Sequence, residues 1–427
     1  MPEPDLILLH APSVYDFRKI PTMYGPISDV IPSNPVFEMY PLGFVSIVGY
    51  LEQHGYHARI INIAVKMLKN RSLDVEDLIS KLDAQAFGFD LHWLVHAAGS
   101  LDLAKIVKKH HPDKPILLGG LSATYFHREI IEHFPQIDCV LRGDSTENPL
   151  LDLMKHFERG REPGDVENLT WRDGDGHRHI NPLSYVPEDI DDLFVDYGEV
   201  VKLVVRYRDL ESTLPFESFM DYPFTALYTC KGCNFDCRTC GGSNYAFKRF
   251  FNRDRAVFKS PGKLVEEMGI VSEYFKAPLF LIGDLRQGGN KYAEAVLDNI
   301  KKEAIDNTIT LELFEAVNES YMKKIADSCE AFTLEISPES HDDSVRSLVG
   351  KPYTTAEMEK TIKLALEHGC EKFDIFFMVG LPGQSSDSAL DSVEYSQRLY
   401  EKLGRDDRIY TFTAPMAPFL YPVSIIY

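Results

Sequence analysis

The chain has 427 residues, with 45 Lys+Arg against 65 Asp+Glu and a formal net charge of −20. Hydrophobic content of 44% and charged content of 26% are those of a folded chain long enough for two or three domains, which sets aside disordered, collagen-like and disulfide-scaffold classes. The acid excess argues against a surface that coats nucleic acid, since that task needs Lys and Arg to displace counterions from phosphates.

The chain starts Met1-Pro2-Glu3-Pro4-Asp5 and continues into a short apolar run. It lacks the basic opening and longer apolar stretch of a secretory signal. No window approaches the ~18 apolar residues of a membrane span. The expectation is a cytoplasmic protein with no transmembrane segment and no nucleic-acid partner. In a reducing compartment, clustered cysteines bind metal or do chemistry rather than pair as disulfides. Seven cysteines are present, and four of them fall within residues 230–240.

Over residues 1–160, strands are predicted at 6–10, 58–63, 86–89, 116–118 and 139–141, with helices at 43–53, 75–82, 101–110 and 148–157. Strands separated by amphipathic helical stretches indicate βαβ units, hence an α/β domain with a doubly wound parallel sheet. The pieces Leu118-Gly119-Gly120 and Arg142-Gly143-Asp144 follow apolar runs. They therefore stand at carboxyl ends of strands, where open α/β sheets bind ligands. Glycines there let backbone approach a ligand closely, and N–H groups at helix starts favour its phosphate. The same glycines would also serve tight βα turns.

Residues 161–220 differ in character. The stretch Trp171-Arg172-Asp173-Gly174-Asp175-Gly176-His177 has the turn chemistry of a hairpin, and Glu188-Asp189-Ile190-Asp191-Asp192 follows it. This part reads as a connector with little chemistry of its own.

Over residues 221–427 the alternation resumes. Strands are predicted at 225–228, 279–282, 310–314, 333–336, 373–379 and 410–413, and helices at 262–275, 292–304, 319–328, 355–368 and 388–403. Six strand–helix units predict a partial (β/α)6 barrel of the TIM type, with its chemistry at the carboxyl ends of the strands.

Directly after the first of these strands comes Cys230-Lys-Gly-Cys233-Asn-Phe-Asp-Cys237-Arg-Thr-Cys240-Gly241-Gly242. Thiolates are soft ligands that select zinc, copper(I) or iron–sulfur clusters. A zinc site usually draws two close pairs from separate elements, and the pairs here are too near each other for an easy tetrahedron. Ferredoxin spacings match poorly as well. The spacing Cys233-x3-Cys237-x2-Cys240 suits three corners of a [4Fe–4S] cube. The fourth iron stays open to chelate the amino and carboxylate groups of S-adenosylmethionine (SAM), and electron transfer would release a 5′-deoxyadenosyl radical. A zinc knuckle or unligated thiols are the alternatives. Cys230 lies outside the triad and reads as a bystander.

This triad, on the loop after the first barrel strand, resembles the signature of the radical SAM superfamily. The resemblance runs over residues 224–427 and extends to later motifs. Ile282-Gly283-Asp284 stands where the family has a Gly-Gly-Glu turn for the SAM amino group, so Gly283 and Asp284 are candidates. Leu334-Glu335-Ile336-Ser337-Pro338-Glu339-Ser340 resembles the segment that contacts ribose and methionine, which nominates Ser337 and Glu339. Phe377-Met378-Val379-Gly380-Leu381-Pro382-Gly383 resembles the motif near adenine, which nominates Gly380. Thr239 departs from the family pattern, which usually has an aromatic residue there.

The N-terminal domain resembles the cobalamin-binding module of class B radical SAM enzymes. The carrying residues are Tyr40-Pro41-Leu42-Gly43, Leu118-Gly119-Gly120-Leu121-Ser122-Ala123-Thr124 and Leu141-Arg142-Gly143-Asp144-Ser145. The resemblance implies that Gly119, Gly120, Ser122, Thr124 and Gly143 bind this cofactor, with the two hydroxyls on its nucleotide tail. Asp90-Leu91-His92 opens like the Asp-x-His-x-x-Gly motif that supplies a cobalt ligand, yet Val95 fills the glycine position and the segment follows the third strand. His92 is therefore not favoured as the ligand. Trp93 packs over the corrin or only fills space, and His10 and His96 read as ordinary polar residues at strand ends.

The resemblance implies a methyltransferase. A methyl passes from one SAM to cobalamin, and the radical from a second SAM opens an unactivated substrate carbon to receive it. An electron donor such as flavodoxin or ferredoxin is implied as partner, with a small-molecule or lipid-like substrate. The alternatives are another radical rearrangement or cyclisation, or a non-catalytic metal or corrinoid sensor that would not need the SAM motifs. The sequence ends at Tyr427, just after Pro415-Met416-Ala417-Pro418-Phe419. Class members usually continue into a domain that shapes the substrate pocket, so substrate class is not legible.

Overall fold

A computed structural model of the chain describes residues 3–19, 36–416 and 421–427. Met1 and Pro2 of the opening and Ala417, Pro418 and Phe419 near the end lie outside the described residues. The chain divides into two compact units. The first comprises Met1–Glu188, Asp192–Tyr222 and Phe247–Asp254, and the second Asp189–Asp191, Pro223–Ala246 and Arg255–Tyr427.

The first unit is built on β1 (Leu6–His10), β2 (Ala58–Asn62), β3 (Ala86–Asp90), β4 (Ile116–Gly119), β5 (Cys139–Leu141), β6 (Leu169–Arg172) and β7 (Arg178–Ile180). The sheet order is β2-β1-β3-β4-β5-β6-β7. The first five strands pair in parallel. β1 and β3 are buried along their whole length, as strands covered by helices on both faces must be. That burial explains their unbroken apolar runs. Each Leu or Phe fully removed from water there contributes roughly 1.5–3 kcal/mol. The order reverses between β1 and β3, which puts the crevice for a ligand outside the carboxyl ends of those two strands.

The sheet is not purely parallel, and here the sequence reading is corrected. The hairpin assigned to a connector extends the sheet, with β6 antiparallel to β5 and β7 antiparallel to β6. Leu169, Thr170 and Trp171 are buried, and Trp171 stacks on His179 at 4.4 Å. The Asp173 carboxylate accepts from the N–H groups of Asp175 at 3.0 Å and His177 at 2.8 Å, which fixes the turn. The helix Tyr197–Tyr207, capped by Asp196, also lies in that stretch. A Cβ on Gly49 would stand 3.0 Å from the Asp196 Cβ, so the helix Gly43–Gln53 packs closely on this segment. Its polar look in sequence hid its contribution to the core.

The second unit carries β8 (Thr225–Tyr228), β9 (Cys230–Lys231), β10 (Val257–Phe258), β11 (Leu279–Ile282), β12 (Ile309–Leu313), β13 (Phe332–Glu339), β14 (Lys372–Val379) and β15 (Ile409–Pro415). Six strands form one sheet in the order β15-β14-β13-β12-β11-β8, and β9 pairs separately with β10. Every pair in the larger sheet is parallel, with helices between successive strands, as the partial (β/α)6 reading requires. The period-two pattern is plain in β12 and β13. Ile309, Leu311, Leu313, Phe332, Leu334 and Ile336 are buried, while Thr310, Glu312, Thr333, Glu335 and Ser337 turn to the opposite, less covered face. The register sets Glu312 beside Glu335 and Glu335 beside Asp374.

Candidate cluster and cofactor sites

The loop after β8 carries Cys233, Cys237 and Cys240, and no disulfide joins any of the chain's cysteines. The loop is held from several sides. Gln287, in the turn Leu285–Gly288 after β11, takes the Asn234 N–H on its side-chain oxygen at 2.9 Å and the Asn234 side-chain amide on its backbone oxygen at 2.9 Å. The Cys233 thiol donates to the same Gln287 oxygen at 3.3 Å. Arg238 donates its N–H to Val349 O at 2.9 Å, and Ile426 donates to Arg238 O at 3.2 Å. A Cβ on Gly241 would strike Tyr421 at 2.8 Å, so the tail packs tightly on the end of the loop. The Cys230 Sγ lies 3.4 Å from where a Gly283 Cβ would stand.

Burial pushes the Cys233 thiol up to about 12, against the Phe235 N–H that favours its thiolate. Burial raises the Cys240 thiol as well. Such thiols stay protonated until a metal displaces the proton. Among the described residues, no three His, Cys, Asp or Glu side chains converge as a single ion's ligands would. Three soft donors on one anchored loop fit a cluster in chemistry and spacing.

One candidate, Glu339 at the end of β13, interacts with this loop. A bulge between Ile336 and Glu339, with Glu339 at φ 64°, re-aims the strand end. That conformation is costly for a side chain other than glycine and typifies functional positions. One Glu339 oxygen lies 3.2 Å from Lys351 Nζ, and the other is buried with no partner, which leaves an acceptor for a ligand. Lys351 was not singled out from the sequence. Burial opposes its charge, but Glu339 and then Cys237 more than offset this and hold its pKa above the lysine range. A lone lysine in a loop carries no sequence signal; a cation twelve residues beyond the Glu339 motif would have been the place to look. Ser337 shares the inner face with Glu335. Gly380, at φ 91°, has open space where a Cβ would stand.

Asp284 is corrected in role. Its carboxylate accepts from Arg286 N at 2.9 Å, Arg286 Nε at 3.0 Å, Phe314 N at 2.8 Å and Arg286 Nη2. A carboxylate offers about four acceptor sites, so Asp284 builds the turn and has none left for an ammonium. The Gly283 N–H is taken by Glu312. Burial pushes Glu312 up to about 7, the Gly283 N–H working against this. Burial, then the nearby Glu312 and Asp374, raise Glu335 well above the carboxylate range. Alternation along the strands brought these acids to one row, and nothing in any one strand's sequence announced it.

In the first unit the candidates gather at the carboxyl ends of β3, β4 and β5, but most of their polar capacity is used internally. Ser122 Oγ donates to His92 O at 3.0 Å. Thr124 Oγ1 donates to Gly120 O at 2.9 Å and accepts from Gly143 N at 3.0 Å. Both hydroxyls therefore tie strand-end loops together. A Cβ on Gly120 would sit 2.6 Å from the His92 Cα, so this glycine is required by backbone packing. Gly119 faces room, with only Leu141 O within 3.9 Å of a Cβ there. The Ser145 hydroxyl is buried and unpartnered, and Asp144 is held by Arg253, with Nη2 3.0 Å from Oδ1. An open strand-end glycine beside an unsatisfied buried hydroxyl fits a large ligand approached by backbone.

His10 is fully buried. Its ring nitrogens lie 2.8 Å from Asp90 Oδ1 and 3.1 Å from Phe37 O. His96 reaches Phe37 O at 2.7 Å, and burial holds it down to about 4, so it is neutral. Trp93 stacks on His96 with centroids 6.4 Å apart.

An open parallel sheet with a strand-end crevice, followed by a partial barrel whose first loop presents three cysteines, defines a two-module radical SAM protein. The comparisons agree in detail. The B12 binding domain model matches residues 29–150, and the Radical SAM superfamily model matches residues 227–395. The chain is 22% identical over 346 residues to an uncharacterized methyltransferase of Pyrococcus horikoshii, covering 80% of this chain and 69% of that one. It is 21% identical over 290 residues to the anaerobic magnesium-protoporphyrin IX monomethyl ester cyclase of Rubrivivax gelatinosus, covering 66% of this chain and 49% of the cyclase. Among solved structures, the radical SAM methyltransferase TsrM of Kitasatospora setae superposes with a TM-score of 0.66 at 14% identity, covering 96% of this chain and 73% of TsrM. The chain thus carries a B12 binding domain followed by a radical SAM domain, the domain pair of the cobalamin-dependent radical SAM enzymes. The cofactors of that family are a [4Fe–4S] cluster, SAM and cobalamin. No helix among the described residues is long and apolar enough to cross a membrane.

Proposed function

We propose that this enzyme methylates an unactivated carbon of a small-molecule or lipid-like substrate. In this reading Cys233, Cys237 and Cys240 hold the cluster. Gly283, Ser337, Glu339 and Gly380 receive SAM, with Asp284 shaping the turn, and Gly119, Gly120 and Gly143 admit cobalamin, with Ser122 and Thr124 fixing their loops. The working division is a cobalamin module over 1–160, a segment over 161–220 whose hairpin extends that module's sheet, and a cluster and SAM module over 221–427. When bound, the cofactors supply the radical and the methyl group. The three thiols would hold the cluster, Lys351 would pair with one Glu339 oxygen, and the other Glu339 oxygen would be open to a donor on SAM.

The observation that carries the reading is the anchored cysteine triad next to a bulged strand end with an unsatisfied carboxylate oxygen. Methyl transfer is favoured because relatives bear methyltransferase names, among them the hopanoid C-3 methylase of Methylococcus capsulatus, 23% identical over 272 residues that cover 62% of this chain and 47% of the methylase. The cyclase match supports cyclisation as the second reading. A low-potential donor such as flavodoxin or ferredoxin, in a reducing cytoplasm, completes the proposal.

The test is anaerobic reconstitution with iron, sulfide and cobalamin, followed by reduction with methyl-labelled SAM and candidate substrates. Formation of 5′-deoxyadenosine together with label on a substrate carbon supports methyl transfer. Deoxyadenosine with an unlabelled, rearranged product favours the second reading. A colourless protein that binds zinc stoichiometrically sinks both.

A further inference from the structure

Among the described residues Arg346 is the largest of the fully buried side chains, and nothing in the proposed chemistry uses it. Its guanidinium donates from Nε to Ser340 O at 3.1 Å and from Nη2 to Ser340 O at 2.7 Å. Nη2 also reaches Thr355 Oγ1 at 3.0 Å. Nη1 reaches Asp343 Oδ1 at 2.6 Å and Tyr353 O at 3.2 Å. A guanidinium has five N–H donors in a fixed fork, and all are engaged here.

These partners bracket one loop. Ser340 directly follows Glu339, Asp343 opens the helix Asp343–Leu348, Tyr353 lies just past Lys351, and Thr355 opens the helix Thr355–Glu367. The guanidinium therefore closes residues 340–355 on themselves. The tip is shaped by the same residue, since Lys351 N donates to Arg346 O at 3.1 Å. Gly350, at φ 87°, seats that tip on the cysteine loop: a Cβ there would lie 3.0 Å from Asp236 O and 3.4 Å from the Cys237 Cα. Burying an ion is costly until its bonds offset the lost hydration. An apolar plug would close an ordinary loop more simply, but it would not bind both ends and the tip through one rigid fork.

We propose that Arg346 is a positioning residue for the cluster: by closing the 340–355 loop it holds the Lys351 charge beside Cys237 and Cys240, and so sets the electrostatics in which the cluster is reduced. The inference rests on the cluster reading above. A nearby cation favours the added electron, so its displacement lowers the reduction potential.

The test compares wild type, R346Q, K351M and the double variant after anaerobic reconstitution, reading iron and sulfide content and the midpoint potential by EPR-monitored titration without SAM. K351M removes the cation and leaves Glu339 unpaired, so its potential falls. R346Q is expected to keep wild-type cluster content with a potential shifted in the same direction. The double variant is expected to fall no further than K351M alone. Additive shifts, or a fully loaded R346Q at the wild-type potential, overturn the proposal. Should R346Q fail to fold, T355V removes one of the Arg346 acceptors, together with that hydroxyl's bonds to His341 O and Asp343. It is expected to give a smaller downward shift that K351M abolishes, and no shift or an additive one overturns the proposal. A wild-type chain that takes up no cluster overturns the functional reading with it, whereas a normal wild-type cluster with additive shifts overturns this inference alone.

Discussion

The two strand-end regions of this protein differ in how much of their polar capacity the protein itself uses. At the cysteine loop of the second unit, groups with unspent capacity stand together: three thiols outside any disulfide, a Glu339 oxygen with no partner and a buried lysine. At the strand ends of the first unit, Ser122, Thr124, His10 and Asp144 bond mainly to protein, and what remains open is backbone at Gly119 with the buried Ser145 hydroxyl and one Asp90 oxygen. Coordination chemistry demands specific donor atoms, and so it leaves side chains free. A large cofactor held by shape demands mainly room and a rigid rim. The same motif language in sequence covers both cases, and only the bonding separates them.

The comparison breaks most readily at the cysteines. Cys237→Ala is expected to abolish cluster uptake and SAM cleavage, while Cys230→Ala leaves both largely intact; iron content and deoxyadenosine yield decide, and equal losses would show the wrong triad was chosen. Next in size is the ion pair. K351M leaves the buried Glu339 carboxylate uncompensated, which costs on the order of 3 kcal/mol of stability, seen in denaturant titration of the apo chain; a change below about 1 kcal/mol would mean the pair is solvated.

The carboxylate row adds a pH dependence whose sign follows from the raised pKa values. Glu312 goes from 4.5 to about 7 on folding, so the folded chain holds a proton that the unfolded chain releases. Stability is therefore greatest below the unfolded value and falls as pH rises between ~4.5 and ~7. Glu335→Gln removes a second acid that burial itself raises and should reduce the total slope, with a gain of roughly 1–3 kcal/mol at pH 8. An unchanged slope would place the two acids in water.

The smallest effects sharpen the first unit. Gly119→Ala meets open space and should leave the melting temperature within about a degree of wild type while weakening cobalamin binding. Gly120→Ala drives a Cβ into the His92 backbone and should destabilise by about 1–3 kcal/mol. If Gly119→Ala leaves cobalamin affinity untouched, backbone approach at that strand end is wrong.

Much of this molecule is local in origin. The apolar runs of β1, β5, β8 and β11 and the helices Gly43–Gln53 and Glu319–Ser328 follow from periodicity and flanking turn chemistry, since each element's face to the core recurs along its own sequence. The triad at Cys233, Cys237 and Cys240 is legible for the same reason: all three ligands sit on one loop. The long-range part is different. That Asp284 is spent on Arg286 and Phe314, that Thr124 bridges to Gly143, that β6 and β7 complete a sheet begun far upstream, and that Arg346 folds a loop carrying Lys351 to the cysteines are all decided by contacts between distant residues. A sequence states which donors and acceptors a chain owns. Which of them remain free for a ligand is decided only when the tertiary fold has used the rest.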